Sequence, residues 1–181
     1  MTSPKSLSRS PSSIASINTI VSSILTIQTP GRGFVDLTAE IAKFVKDAGA
    51  REGAVTLFIR HTSASLTIQE NADPSVLDDL MTALDRLAPK DAGWTHDTEG
   101  PDDMPAHIKT MLTASSLHIP VLNGELALGT WQAIYLIEHR RLPHKFRDLG
   151  GDIDEAGARG LNCKKRRYDA VGGDGGWRGV G

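Results

Sequence analysis

The chain has 181 residues, with 20 lysines and arginines against 22 aspartates and glutamates. That length supports one well-buried core with tails, and a net charge of −2 supplies no global positive field to steer it onto nucleic acid or an anionic membrane. The single cysteine, Cys163, excludes an intrachain disulfide and fits a reducing, cytoplasmic setting.

Residues 1–17 read as a disordered, Ser-rich leader. The first 35 residues contain Lys5, Arg9 and Arg32 and no acid, which also suits a mitochondrial transit peptide, although so few arginines make no basic helical face. No run reaches the roughly 18 apolar residues of a membrane span, so no membrane partner is expected.

From Asn18 onward the pattern alternates. TIVSSILTIQT predicts a strand and GRGFVDLT a turn with a short second strand, the two pairing as a hairpin. TAEIAKFVKDAG sets Ile41, Phe44 and Val45 at helical spacing, with Thr38 as N-cap and Gly49 as the stop. GAVTLFIRHTSASLTIQE then gives two β-rich stretches whose junction presents His61, Thr62 and Ser63 near a strand end.

NADPSVLDDLMTALDRLAP predicts a helix capped by Asp73, with Pro74 first and an apolar stripe of Val76, Leu77, Leu80, Met81, Leu84 and Leu87. PAHIKTMLTASS makes a short third helix. Asn123-Gly124 marks a hairpin turn, and a long apolar strand covers 131–137. The fold class that results is α+β: compact, with a largely antiparallel sheet and about three packed helices. Residues 141–181 read as a Gly-rich, basic, flexible tail, in which CKKRRYD is solvated charge, or else a nuclear-localisation or phosphate-binding patch.

The chemistry-bearing residues concentrate in WTHDTEGPDDMPAHIK, residues 94–109. His96 and His107 flank a loop holding Glu99, Asp102 and Asp103, and a fold-back of that loop can bring both imidazoles to one ion, with His61 as third ligand. Such a set leaves a coordination position open. His107 and Lys109 near a helix start, with Arg60, Thr62 and Ser63, offer a phosphate or carboxylate pocket. A serine hydrolase is disfavoured, because adjacent strand residues point to opposite faces and Ser63 and Ser65 lie in no G-x-S-x-G elbow. Glu138 and His139 must face opposite sides of a strand, and Glu138 is either a cross-strand ion pair or a site residue. In GTWQ, between the polar Thr130 and Gln132, Trp131 is either a packing anchor or a platform on which a ligand stacks.

VTLFIRHTSASLTIQENADPSVLDDL, THDTEG with DMPAHIK, and NGELALGTWQAIYLIE occur in that order and resemble the signature blocks of the YjbQ-like proteins (UPF0047), some of which are called secondary thiamine-phosphate synthases. The resemblance covers residues 18–140. It implies a compact α+β domain, assembly as a homo-trimer, and a divalent metal, zinc or magnesium, held by His61, His96 and His107.

The matched motifs further imply Glu99, Lys109 and Glu138 as catalytic groups, and Arg60, Thr62, Ser63, Asn71, Lys109, Thr130 and Gln132 as substrate-binding groups. The activity implied is that of a metal-dependent enzyme acting on a small phosphorylated metabolite. The other reading is a non-catalytic, trimeric protein that binds a metal or small anion. Two features depart from the pattern: the PDDMP loop leaves Asp102 and Asp103 as alternative equivalents of one acid, and the glycine-rich end lacks an evident last strand, which would expose a sheet edge.

Overall fold

A computed structural model describes residues 11, 12, 14, 19–142 and 145–155, the last stretch in its strand placement alone. The leader up to residue 10 and the CKKRRYD run lie outside the described residues. In chain order the elements are β1 (Thr19–Gln28), β2 (Gly33–Asp36), α1 (Thr38–Ala48), β3 (Gly53–Ile59), β4 (Ala64–Glu70), α2 (Pro74–Leu87), α3 (Asp103–Leu112), β5 (Ser116–Leu122), β6 (Glu125–Leu126), β7 (Gln132–Glu138) and β8 (Lys145–Glu155). The fold is the expected α+β class, with every strand pair antiparallel. The strands form two sheets, ordered β1-β8-β3-β5-β6 and β2-β7-β4.

The two-sheet division corrects the predicted first hairpin. β1 pairs with β8 and β2 with β7, so the turn between them carries the chain from one sheet to the other. Gly31 makes this crossing with φ +121°, and a Cβ there would lie 2.5 Å from the Arg141 carbonyl oxygen. Only glycine suits both the backbone angle and the approach. The β3–β4 junction, Arg60 to Ser63, crosses between the sheets in the same sense.

Between the sheets lies one core, in which Val55, Leu57 and Ile59 of β3 meet Ile41 and Val45 of α1 and Leu66, Ile134 and Leu136 of β4 and β7. Each such side chain contributes about 1.5–3 kcal/mol when fully buried. β7 is the middle strand of its sheet and is buried on both faces, Ile134 and Leu136 toward the core and Ala133, Tyr135 and Ile137 on the other side. That double burial is why its sequence is a continuous apolar run.

The helix signals translate with small shifts. Leu37 rather than Thr38 occupies the N-cap of α1; the Thr38 hydroxyl instead accepts the Ile134 N–H at 2.9 Å and ties the helix to β7. Gly49 ends α1 in the left-handed conformation, as expected. Asp73 caps α2 by accepting the Ser75 N–H at 2.9 Å, with Pro74 as the first helical residue. Its apolar stripe is only partly covered: Met81 is buried and Leu87 is exposed. Asn123 and Gly124 both have positive φ, 54° and 87°, the signature of a type I′ turn between β5 and β6.

Residues 145–155 form a strand inserted between β1 and β3, where a flexible tail was expected. The last strand is therefore present, and β1 is not left pairless at that edge. Gly150 and Gly151 in its middle weaken the strand signal in the sequence. Among the described residues no helix is long and apolar enough to cross a membrane.

The Gly31 crossing yields a direct test. Gly31→Ala forces a left-handed alanine against the Arg141 backbone, and we expect a loss of about 1–3 kcal/mol in urea unfolding. An unchanged midpoint would show that the turn relaxes freely.

Candidate metal centre

α3 begins at Asp103, two residues before the predicted start, and Pro105 is tolerated in its first turn. The earlier start places Asp103 and His107 at i and i+4, on one face of the helix. His96 arrives from the connection between α2 and α3. That connection is folded by the Trp94 indole N–H donating to the Pro89 carbonyl at 2.7 Å and by a turn in which Gly100 N–H donates to the Asp97 carbonyl.

His96 Nε2 lies 2.9 Å from Asp103 Oδ2, and His107 Nε2 lies 3.6 Å from Asp103 Oδ1. One ligand atom from each of the three residues falls within 4.8 Å of the others. His107 Nδ1 donates to the Thr62 carbonyl at 2.9 Å, which leaves Nε2 of the neutral ring with its lone pair directed to the group. His96 is 54% exposed at its side chain and Asp103 is 4% exposed, so the set is anchored inside and open on one side. Two imidazoles and a carboxylate with an open position fit a divalent transition metal such as zinc better than magnesium, which prefers oxygen ligands.

Asp103 is held by Arg140, whose guanidinium Nη1 donates to Asp103 Oδ1. Its Nη2 donates to the Glu99 carbonyl at 2.7 Å, and its Nε lies 3.5 Å from Asp102 Oδ1. Asp102 also accepts the Arg141 N–H at 2.8 Å. Burial works against ionising Asp102, but that N–H and the Arg140 charge prevail and hold its carboxyl below the usual range. The sequence assigned no role to Arg140. The residue sits just past the end of the long strand, and only the fold brings it to α3.

The expected site residues divide into groups. His61, Arg60 and Thr62 line a groove of about 790 Å³ together with His107, Met111 and Ser115. His61 Nδ1 accepts the Ser63 N–H at 3.1 Å, which leaves the proton of the neutral ring on Nε2. Asp103, rather than His61, completes the His96–His107 group. Glu99 projects into solvent beside it, 75% exposed at the side chain.

Lys109 is 1% exposed, and its ammonium donates to Asp85 at 2.6 Å. It pairs with Asp85 of α2 instead of lining the groove. Glu138 is also buried; it accepts the Thr29 hydroxyl at 3.1 Å and the Arg140 N–H at 2.8 Å. Asn71, Thr130 and Gln132 are exposed at the other end of the β4–β7 pair, where Glu70 opposes Gln132, while Ala64 opposes Glu138 at the His61 end. The two ends of such a strand are roughly 20 Å apart.

Behind the site His139 is buried, its Nε2 2.8 Å from the Ser65 hydroxyl and its Nδ1 without a partner among the described residues. Burial, and then the Lys109 charge, push its pKa down from 6.5 to about 3. Between those values the unfolded chain binds a proton that the folded chain refuses. The His139 contribution to stability is therefore fully present above pH 6.5 and is lost progressively as pH drops toward about 3. We expect His139→Gln to flatten the slope of unfolding free energy between pH 6.5 and 4.5; an unaltered slope would assign the acid sensitivity to carboxylates.

The family described as UPF0047 protein YjbQ-like matches residues 23–149. UPF0047 protein sll1880 of Synechocystis is 51% identical over 123 residues, covering 67% of this chain and 84% of the relative. UPF0047 protein YjbQ of Escherichia coli O157:H7 is 44% identical over 117 residues, covering 64% of this chain and 85% of its own length. Among solved structures, an uncharacterised conserved protein of the same family from Clostridium acetobutylicum has a TM-score of 0.63 at 36% identity, covering 74% of this chain and 98% of that one. A YbjQ-like protein from Sulfolobus solfataricus, 20% identical with a TM-score of 0.68 over 76% of this chain and 100% of that one, shares the fold. By both sequence and architecture, the chain belongs to the YjbQ-like UPF0047 family.

Proposed function

We propose that this protein is a metal-dependent enzyme acting on a small phosphorylated metabolite. The observation that carries the reading is the convergence of His96, Asp103 and His107, the last of which also lines a groove of a size suited to such a ligand. A divalent cation bound there supplies Lewis-acid stabilisation of phosphoryl oxygens or an activated water.

The chain's own residues perform the rest. Thr62 fixes the His107 tautomer, and Arg140 fixes the Asp103 carboxylate. The His61 Nε2–H and Arg60 provide donors along the groove for phosphate oxygens. Glu99 stands in solvent next to the group, positioned to carry a proton. The resemblance to secondary thiamine-phosphate synthases makes the joining of a pyrimidine methyl diphosphate to a thiazole phosphate the first reaction to assay.

A homo-trimer in the cytoplasm is the assembly we propose. Two observations support it: the motif residues are split between two ends of one strand pair, so that a shared site needs neighbouring subunits, and Trp131, Met111 and Leu87 are large and exposed. The second reading, a non-catalytic trimer that binds a metal or small anion, draws support from the burial of Lys109 and Glu138, two of the three expected catalytic groups.

Elemental analysis of the untagged protein and of His107→Ala tests the first requirement. Near-stoichiometric divalent metal is expected in the wild type, with a loss of at least about tenfold in the variant, since a first ligand is removed. Equal metal content in both would overturn the metal reading. Metal-dependent turnover of phosphorylated thiamine precursors supports the enzyme; saturable binding without turnover of any phosphorylated metabolite supports the second reading.

A further inference from the structure

Glu138 ends β7 with the parity of Ile134 and Leu136, so its side chain lies on the core side of the strand. It is fully buried, and among the described residues it is not one of those that line the groove. A general acid or base must reach the proton it moves. Glu138 does not, and a carboxylate taken out of water needs donors to hold it.

Its two oxygens have different partners. Oε1 accepts the Arg140 N–H at 2.8 Å, and Oε2 accepts the hydroxyl of the buried Thr29 at 3.1 Å. Glu138 makes the last ladder pairs of β7, with Gly33 on one side and Ala64 on the other. Arg140 lies two residues beyond them. The carboxylate therefore fixes the main chain where the sheet no longer does.

From Arg140 the line continues to the metal ligands. The guanidinium Nη1 donates to Asp103 Oδ1, and Nη2 donates to the Glu99 carbonyl at 2.7 Å. Asp103 Oδ2 lies 2.9 Å from His96 Nε2. Thr29, Glu138, Arg140 and Asp103 thus connect the β1–β2 crossing to the histidine group.

We propose that Glu138 is a positioning residue rather than a catalytic one: together with Thr29 it fixes the Arg140 main chain, and through it the guanidinium that orients Asp103 toward the cation. The role rests on the metal reading of the His96–Asp103–His107 group. It is the role of an acceptor, so an amide fulfils it. Glu138→Gln keeps a carbonyl oxygen for the Arg140 N–H and turns its NH2 to the Thr29 hydroxyl, whereas Glu138→Ala keeps neither.

Cobalt titration of the metal-free full chain, followed by visible d–d absorption, tests this, because the spectrum reports ligand geometry as well as affinity. Glu138→Gln is expected to keep the wild-type spectrum with affinity within about threefold. Glu138→Ala is expected to bind at least about tenfold more weakly with an altered spectrum, the scale on which lost outer partners of metal ligands act. Thr29→Val, which removes one hydroxyl, falls between them. In the metal-free protein the Arg140 guanidinium N–H resonances are expected to be protected from solvent exchange in wild type and Glu138→Gln, and unprotected in Glu138→Ala.

A cooperative urea transition in each variant separates lost positioning from lost folding. Where Glu138→Ala shows none, Thr29→Val carries the test. Wild-type cobalt affinity and Arg140 protection in the folded Ala or Val variant would overturn the role. So would a loss in Glu138→Gln as large as in Glu138→Ala, which assigns the function to the carboxylate charge. Failure of the metal reading looks different: the wild type then takes up no cobalt, which removes the cation that this role serves and overturns both.

Discussion

The interaction on which the candidate site depends is a guanidinium buried among carboxylates. Arg140 is 8% exposed at its side chain and reaches Asp103, Asp102 and the Glu99 carbonyl, while its own backbone N–H is held by Glu138. Charges this far from water are tolerated only when they are paired, and removing one partner of such a pair typically costs about 3–5 kcal/mol. The pairing therefore acts as a lock. It joins the end of the central strand β7 to the start of α3, and that start determines where Asp103 and His107 point.

A second set of polar contacts adds to the first. Lys109 and Arg32 share Asp85, which joins α2, α3 and the β1–β2 crossing, and His139, just past β7, meets Ser65 of β4. Burial raises the Asp85 pKa, but its bonds to Lys109 and its proximity to Arg32 outweigh that and keep it ionised. An apolar replacement of these contacts could pack as tightly. What the polar contacts supply is orientation, since each hydrogen bond specifies an angle that a methyl group does not.

Local chemistry made much of this fold legible in the sequence. Asp73-Pro74, Gly49 and Asn123-Gly124 act within a few residues, and the elements they bound are where the pattern placed them. The separation into two sheets was not legible, because adjacent strands β1 and β2 find partners far along the chain in β8 and β7, Thr19 opposite Glu155 and Gly33 opposite Glu138. β8 itself was hidden by Gly150 and Gly151. In the site, His96 and His107 were visible from the density of ligand types around one loop. Asp103 needed the helix start to be moved two residues earlier, which an i, i+4 reading of DMPAH would have suggested. Arg140 carried no local signal, and the inward turn of Lys109 depends on an acid in another helix, Asp85.

The central claim is that Asp103, ordered by Arg140, joins His96 and His107 around one cation. Anomalous diffraction from crystals grown with zinc, recorded on both sides of the zinc edge, tests it most directly. The account predicts a single strong peak per subunit within bonding distance of His96 Nε2, His107 Nε2 and an Asp103 carboxylate oxygen, with Arg140 still bound to that carboxylate. A peak on His61 without Asp103, or none at this group, would contradict it.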